Sequence, residues 1–196
     1  WQNSEIEGID IMLAIDVSTS MLAEDLKPNR LEAAKDVAAE FINGRPNDNI
    51  GITLFAGETF TQCPLTVDHA VLLDMIHNIK CGLITDGTAV GMGIANAVTR
   101  LKDSKVIILL TDGTNNKGDI SPMTAAEIAK SFGIRVYTIG VGTNGMAPYP
   151  YPVGNTVQYV SMPVEIDEKT LTEIAGTTDG NYFRATSNSK LKEVYE

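Results

Sequence analysis

Ile9–Ser20 (IDIMLAIDVSTS) is the stretch that decides the fold of this 196-residue chain. Its first seven residues form a nearly continuous apolar run, which is typical of a parallel strand buried on both faces. The run ends at Asp16. A second run, Lys105–Thr111 (KVIILLT), has five consecutive apolar residues and is followed by Asp112. We therefore predict two central parallel strands that are each followed by an aspartate.

Strand and helix signals alternate along the rest of the chain. Strands are predicted at Ile9–Ile15, Ile50–Phe55, Lys105–Thr111, Arg135–Val141 and Asn181–Ala185, with a short antiparallel edge strand at Glu58–Gln62. Helices are predicted to follow Asn29, Asp68, Thr88 and Ser121, and to span Asp167–Ala175 and Ser187–Tyr195. This alternation predicts one doubly wound, Rossmann-like α/β domain over residues 1–196, with a mostly parallel central sheet and helices on both faces.

One segment breaks the alternation. Thr143–Ile166 is long for a loop, and its Gly154-Asn155 pair stands between extended-looking flanks, which is a two-residue hairpin signal. We predict a β-hairpin insertion here. Its tyrosines Tyr149, Tyr151 and Tyr159, interleaved with prolines, leave two roles open: a stiff contact surface for a partner, or packing of the hairpin against its own domain.

The composition limits the classes of partner. There are 15 Lys and Arg against 25 Asp and Glu, and the net charge of −10 repels nucleic-acid phosphates and anionic lipid.

No apolar run reaches the roughly 18–20 residues that a membrane span needs. The chain starts at Trp1 without a signal-peptide pattern, so we interpret it as a fragment of a longer protein. Cys63 and Cys81 are too few and too far apart for a metal knuckle, and two independent thiols are favoured over a disulfide.

The candidate site lies at the carboxyl edge of the sheet, where the loops that follow parallel strands converge and ligands bind. All the side chains expected there offer oxygen, which suits Mg²⁺, Mn²⁺ or Ca²⁺ and disfavours Zn²⁺. Alternate side chains of an extended segment point the same way, so the three that follow the first strand can converge. The five candidates are Asp16, Ser18 and Ser20 after the first strand, Thr88 before a helix, and Asp112 after the second long apolar run.

These motifs resemble the metal-ion-dependent adhesion site of the von Willebrand factor A (VWA) family. Its three parts occur here in order as Asp16–Ser20 (DVSTS), Thr88 and Thr111–Gly113 (TDG), and the resemblance covers essentially the whole chain. It implies a protein-binding module, and the catalytic groups that the sequence lacks predict that this module catalyses nothing. It also implies an open coordination position on the metal, which takes an Asp or Glu carboxylate from a partner protein.

The same resemblance implies a role for each site residue. Ser18 and Ser20 would ligate the metal through their hydroxyls. Thr88 would ligate it directly in the state that is competent for partner binding. Asp16 and Asp112 would act mainly through waters or as outer anchors, with Asp112 coming closer when Thr88 withdraws.

Three further stretches resemble the VWA proteins of bacterial aerotolerance (Bat) operons. They are Gly142–Pro150 (GTNGMAPYP), Val164–Asp167 (VEID) and Gly180–Ala185 (GNYFRA). In that group the domain is typically tethered by flanking membrane segments. The resemblance therefore implies an inner-membrane anchor outside this chain, a domain that faces the periplasm, and a place in a membrane-associated stress or aerotolerance complex.

Two other functions stay open on the sequence. A Mg²⁺-dependent hydrolase or phosphotransferase would use Asp16 as nucleophile and Asp112 as metal ligand, although Ser18 stands where a general acid–base carboxylate is expected. A metal-free structural scaffold is the other. Neither nucleotide-binding glycine motif follows the first strand, and no G-x-S-x-G elbow occurs.

The sequence leaves two possible roles open for several residues near the site. Asp86 either adds charge to the outer shell of the metal or is a solvated loop residue, and the second is favoured. Met21, Glu24 and Asp25 follow the first metal loop. They either rim the binding face or form a plain surface loop.

Overall fold

The central sheet is mixed and mostly parallel, as predicted. The computed structural model describes residues 8–101 and 105–185. Its strands are β1 Asp10–Asp16, β2 Asn49–Phe55, β3 Thr59–Thr66, β4 Lys105–Thr111, β5 Arg135–Val141, β6 Gly145–Val153, β7 Thr156–Val164 and β8 Tyr182–Ala185. Six of them form the sheet in the order β3-β2-β1-β4-β5-β8, in which only β3 is antiparallel to its neighbour. The first and fourth strands are thus central, and their carboxyl ends lie side by side.

Besides a short 3₁₀ helix at Thr19–Leu22, five α-helices connect the strands of the described chain. They are α1 Arg30–Asn43, α2 His69–His77, α3 Val90–Arg100, α4 Pro122–Ser131 and α5 Glu168–Thr177. Four begin at a side chain that accepts a hydrogen bond from the backbone N–H three residues later, and these caps are Asn29, Asp68, Ser121 and Asp167. Such a cap stabilises a helix by about 1 kcal/mol.

Hydrophobic cores lie on both faces of the sheet. Ile11, Leu13 and Ile15 of β1 point into one core with α1 and α2. Met12 and Ala14 of the same strand point into a second core with α3, α4 and α5. All five are completely buried, and burying a side chain as large as that of isoleucine or leucine contributes roughly 1.5–3 kcal/mol. The layered packing holds the carboxyl ends of β1 and β4 in a rigid frame.

Helix α3 packs unusually close to β2. A Cβ at Gly93 would lie 2.7 Å from the ring of Phe55, so only glycine fits there. Gly91 has a different reason, because its added Cβ would clash with the carbonyl oxygen of Ile120.

The predicted hairpin insertion is present. Strands β6 and β7 pair with each other over their full length and form a separate two-stranded sheet. The strands close at Val153 and Thr156, and Gly154 in the turn has a φ of +59°. This left-handed conformation is readily adopted by glycine.

Several element boundaries differ from the prediction by one or two residues, and the end of β3 differs most. Strand β3 was expected at Glu58–Gln62 but continues to Thr66, because its Pro64 lies on the outer edge of the sheet, where no neighbouring strand needs its missing N–H. Helix α5 was expected to stop at Gly176 but runs to Thr177, and the hydroxyl of Thr178 then donates to the carbonyl of Ala175. The predicted helix Ser187–Tyr195 lies outside the described residues.

Within residues 8–101 and 105–185, no helix has the length and apolar character needed to cross a bilayer.

Candidate metal-binding site

Asp16 ends β1 and is completely buried. Its Oδ1 accepts hydrogen bonds from the backbone N–H of Ser18 at 2.9 Å and from the Ser18 hydroxyl at 2.5 Å. Its Oδ2 accepts a bond of 2.6 Å from the hydroxyl of Thr111, the last residue of β4. The carboxylate therefore ties the two central strands together at their carboxyl ends.

Asp112 follows β4 and is also buried. Its Oδ2 accepts a hydrogen bond of 2.7 Å from the Ser20 hydroxyl. Its Oδ1 accepts from the backbone N–H and the hydroxyl of Thr114. Because the hydroxyls of Ser18 and Ser20 lie 3.1 Å apart, four of the five predicted residues form one connected chain of contacts: Asp16, Ser18, Ser20 and Asp112. We call these four the carboxyl-edge cluster.

Thr88, the fifth predicted residue, is held in its loop by backbone hydrogen bonds. Its N–H donates to the side chain of Asn116, and its carbonyl accepts from the backbone of Asn116 and Lys117. Among the described residues, its hydroxyl joins none of the bonds that link the other four. Thr88 is 3% exposed, so its position in the loop is fixed even though the structure does not join its side chain to the cluster.

Asp86 connects the loop of Thr88 to the loop of the serines. Its carboxylate accepts from the backbone N–H of Thr19 at 3.2 Å and from the Thr19 hydroxyl at 3.0 Å. Although its limited burial opposes ionisation, hydrogen bonds from Gly87 and Thr19 hold the pKa of Asp86 below its ordinary value. Asp86 is exposed, as expected for the solvated loop residue that the sequence favoured. It also joins two loops of the site.

Arg30 is the residue that sequence reasoning missed. It begins α1, is 1% exposed and uses all its N–H groups. Nη1 donates to Asp112 Oδ2 at 3.1 Å, and Nε and Nη2 donate to the two oxygens of Asp25 at 2.8 and 2.7 Å. The remaining bonds, both 3.4 Å, reach the carbonyls of Glu165 and Thr143 at the two ends of the hairpin insertion. No sequence signal distinguishes this arginine from an exposed one on the first turn of a helix.

The loop after the serines was predicted to rim the binding face or to lie plainly at the surface. Both predictions are wrong for Met21 and Asp25. Met21 is completely buried in the core rather than at the rim. The Asp25 side chain is only 3% exposed and pairs with Arg30. Burial opposes ionisation of Asp25, but hydrogen bonds from Arg30 and Thr143 hold its pKa below the ordinary value.

The charges at this edge do not cancel. Asp16, Asp112 and Asp25 are three buried carboxylates, and Arg30 is the cation paired with two of them. Two negative charges are left uncompensated when all the carboxylates are ionised. Burial raises the pKa of Asp16 to about 7, repulsion from Asp112 adds to the rise, and hydrogen bonds from Ser18 and Thr111 oppose it.

Sequence and structure comparisons place the chain in a known family. The sequence profile of the von Willebrand factor type A domain matches residues 10–196. This chain belongs to the VWA family.

The resemblance to Bat proteins is confirmed as well. An aerotolerance-related membrane protein from Bacteroides fragilis is 34% identical, with a TM-score of 0.85 over 95% of this chain and 96% of that one. BatB from Bacteroides thetaiotaomicron is also 34% identical, with a TM-score of 0.86 over 96% of each chain.

Curated relatives of this VWA domain are longer than the chain itself. A UPF0353 protein from Mycolicibacterium paratuberculosis is 32% identical over 203 residues, which cover 94% of this chain and 58% of that relative. The chain thus spans little more than half the length of the curated relatives it matches.

The donor set of this VWA domain fits a hard divalent cation. Two buried carboxylates and two hydroxyls meet at one point, and a serine hydroxyl that donates a hydrogen bond keeps lone pairs for a metal. In the described part of the chain, no three His, Cys, Asp or Glu side chains are close enough to share a metal ion. A cation at this edge would therefore need the hydroxyl oxygens, and it would offset the two uncompensated charges.

The thiol closest to the site is poorly suited to a metal. Cys81 is free, and its Sγ donates to the carbonyl of Ser18 at 3.4 Å. Burial raises the pKa of the Cys81 thiol to about 12, and the negative charges of Asp16 and Asp86 add to the rise. The group stays protonated at neutral pH, and a protonated thiol is not a metal ligand. Cys63 is a second free thiol, buried on β3.

Proposed function

We propose that this VWA domain is a metal-dependent protein-interaction module that captures an Asp or Glu carboxylate of a partner. VWA domains are in general interaction modules, and those that carry the adhesion-site motif bind a divalent metal there. The observation that carries the proposal is the carboxyl-edge cluster, in which contacts of 2.5 to 3.1 Å join two buried carboxylates through two serine hydroxyls. The charge left at this edge matches that of one divalent cation.

Each site residue has a separate role in this proposal. Ser18 and Ser20 would hold Mg²⁺, or Mn²⁺ or Ca²⁺, through hydroxyl oxygens, and Thr88 would add a third when its side chain turns toward them. Asp16 and Asp112 would orient the two hydroxyls and supply negative charge from behind. When bound, the cation supplies a Lewis-acid contact for the carboxylate of the partner.

The carboxylates are badly placed for the alternative, a Mg²⁺-dependent hydrolase or phosphotransferase. A nucleophilic aspartate needs an oxygen that can reach the substrate. Both oxygens of Asp16 are occupied by hydrogen bonds, and the residue is completely buried. Both oxygens of Asp112 accept hydrogen bonds as well. These contacts favour a binding role without catalysis.

We further propose that the domain works in a membrane-associated stress or aerotolerance complex. Support comes from the two Bacteroides structures, one of which is described as an aerotolerance-related membrane protein. In this proposal, residues 1–196 form a single domain that is anchored in the bacterial inner membrane by segments outside this sequence and faces the periplasm. Protease accessibility of the full-length protein in spheroplasts tests the orientation, because protection of the domain would place it in the cytoplasm.

Thermal unfolding with Mg²⁺, Mn²⁺, Ca²⁺, Zn²⁺ or EDTA tests the metal site. A ligand at 100 times its Kd stabilises the folded state by about 2.7 kcal/mol, which corresponds to a rise in Tm of about 5–10 °C for a domain of this size. Ser18→Ala and Ser20→Ala should abolish this rise. Ser131→Ala is the matched control, since Ser131 ends α4 on the opposite edge of the sheet and donates only within its own helix.

Partner capture tests the interaction. The immobilised domain is incubated with detergent-solubilised envelope proteins in MgCl₂ or EDTA, beside its Ser20→Ala variant. The proposal expects a partner that is retained only by the unmodified domain in MgCl₂. Equal retention under all three conditions would move the binding surface away from the metal edge. Unchanged melting in every metal up to millimolar concentration would count against a metal site altogether.

A further inference from the structure

A cleft opens directly beside the carboxyl-edge cluster. It has a volume of about 460 Å³, within the range of pockets that enclose a small ligand. Ser20 and Asp112 line one end, and Tyr149, Tyr151 and Met162 of the hairpin line the other. We call this space the hairpin cleft. One cavity therefore joins the candidate metal edge to an aromatic and apolar wall.

The wall is one face of the hairpin. Residues that are directly opposed in an antiparallel pair point to the same side, and so do alternate residues along each strand. Met162 opposes Ala147, and Tyr149 and Tyr151 follow Ala147 at alternate positions. Ala147 is 1% exposed and fixes this face against the domain, whereas Tyr151 near the tip is 56% exposed. The face is therefore anchored at Ala147, and its exposed side chains line the cleft beside the metal edge.

The hairpin is fixed to the metal edge by polar contacts at its base. The guanidinium of Arg30 reaches the carbonyls of Thr143 and Glu165 while it holds Asp112. The carboxylate of Asp25 accepts from both the backbone N–H and the hydroxyl of Thr143. The backbone N–H of Glu24 donates to the carbonyl of Pro148. These contacts set the distance between wall and cluster before any ligand arrives.

From this geometry we infer that the hairpin cleft selects a partner segment in which an Asp or Glu stands next to an aromatic side chain. The part of this inference that concerns the Asp or Glu rests on the proposed function. Without a cation, the uncompensated carboxylates repel an acidic ligand, so the acidic residue enters only with the metal. The neighbouring ring packs against Tyr151 and Met162, which are large, partly exposed and already in place. Tyr151 is then a specificity-determining residue that does not touch the metal.

An NMR titration with short peptides tests the inference. The protein is labelled with 15N and, at its methionine methyl groups, with 13C, and the peptides are added to it. Three blocked tetrapeptides are compared in MgCl₂ and in EDTA: glycine-glutamate-phenylalanine-glycine, glycine-glutamate-glycine-glycine and glycine-glutamine-phenylalanine-glycine. The methyl group of Met162 reports on the wall. The methyl group of Met146 is the internal control, because this 64% exposed side chain points to the opposite face of the same hairpin.

Two exposed tyrosines give a matched pair of variants. Tyr151→Ala removes one exposed ring of the wall, whereas Tyr159→Ala removes a 62% exposed ring from the other face. In MgCl₂ the acidic-aromatic peptide should bind tightest and shift the Met162 signal but not that of Met146. Tyr151→Ala should weaken this peptide by about 3- to 10-fold, as expected for the loss of an aromatic pair. Tyr159→Ala should not weaken it, and Tyr151→Phe should restore it.

The outcomes separate this inference from the proposed function. Equal affinity of the two glutamate peptides, or equal effects of Tyr151→Ala and Tyr159→Ala, would overturn the role of the cleft while leaving metal-dependent carboxylate binding intact. Absence of binding by all three peptides would overturn it too, even where Mg²⁺ still raises Tm. Binding of the acidic-aromatic peptide that is equally strong in EDTA would refute the metal requirement in both.

Discussion

Arg30 donates from Nη1 to Oδ2 of Asp112 over 3.1 Å, and both groups are buried. The same oxygen accepts from the hydroxyl of Ser20. The guanidinium therefore competes with the candidate metal for the charge of Asp112. A cation held mainly by hydroxyls would retain more positive charge for a partner than one held directly by two carboxylates.

Arg30→Gln should destabilise the domain strongly. It leaves Asp25 and Asp112 without a countercharge inside the protein, and removing one partner of a buried ion pair costs about 3–5 kcal/mol. Urea unfolding in EDTA measures the loss, which MgCl₂ should reduce because the cation replaces part of the missing charge. Arg45→Gln is the control, since the Arg45 side chain is 38% exposed, pairs with Asp48 over 3.5 Å and lies over the Phe41 ring, and the variant should lose about 1 kcal/mol or less. Equal losses for both variants would contradict this account.

Asp16 should make the metal-free domain less stable as pH rises from about 4 to about 7. The pKa of this carboxyl is raised from 3.8 to about 7 by burial and by repulsion from Asp112. The folded state therefore binds more protons than the unfolded state within that window, and the free energy of unfolding falls as pH increases. The difference between the two pKa values corresponds to about 4 kcal/mol at most.

Asp16→Asn isolates this contribution from the other titrating groups. Asp25, whose pKa is lowered in the folded state, contributes with the opposite sign and is present in both proteins. Subtracting the pH profile of Asp16→Asn from that of the unmodified domain in EDTA should leave the predicted downward slope. MgCl₂ should remove the slope, because the metal favours the ionised carboxylate. A flat difference profile in EDTA would show that Asp16 titrates normally.

The sequence predicted the fold because local pattern and tertiary role agree in its central strands. Each of Ile9–Ile15 and Lys105–Thr111 is apolar on both faces, as only an inner strand of a covered sheet can be. The hairpin followed from Gly154-Asn155 for a similar local reason. The length of β3 could not be predicted, since Pro64 argues against a strand until its place at the sheet edge is known.

The candidate site also contains residues that the sequence could predict and one that it could not. Asp16, Ser18, Ser20 and Asp112 each follow a strand that the sequence identifies, so their convergence could be predicted from the topology. Arg30 lies 82 residues from Asp112 along the chain. Its burial depends on how α1 packs beneath the hairpin. No local pattern carries that information.

Cys81 should react slowly with iodoacetamide in the folded domain. At pH 8 a thiol with a pKa of about 12 has about 1000-fold less thiolate than one at the ordinary value of 9.0. Cys63→Ser removes the second thiol, so that mass spectrometry follows Cys81 alone, and urea supplies the fully reactive reference. MgCl₂ should speed the reaction, since it offsets the charge of Asp16. Rapid stoichiometric labelling of the folded protein in EDTA would refute the raised pKa.

Gly142 tests how firmly Arg30 is held. This glycine has a φ of +143°, and an added Cβ would lie 2.7 Å from Cζ of the guanidinium. The tip of a flexible arginine would simply move away, but this one is fixed by both carboxylates and two carbonyls. Gly142→Ala should therefore displace Arg30 from Asp112 and lower stability, as measured by urea unfolding.

Gly145→Ala separates that clash from backbone strain. Gly145 has a similar φ of +135°, and an added Cβ there meets nothing within 4 Å. Both variants carry the strain of a left-handed backbone, whereas only Gly142→Ala disturbs the guanidinium, so its additional loss should be about 1–3 kcal/mol, the usual cost of overpacking. Gly142→Ala alone should also change the Mg²⁺ affinity, because Asp112 loses its countercharge. Equal losses and equal affinities would mean that Arg30 adapts freely and does not link the hairpin to the metal edge.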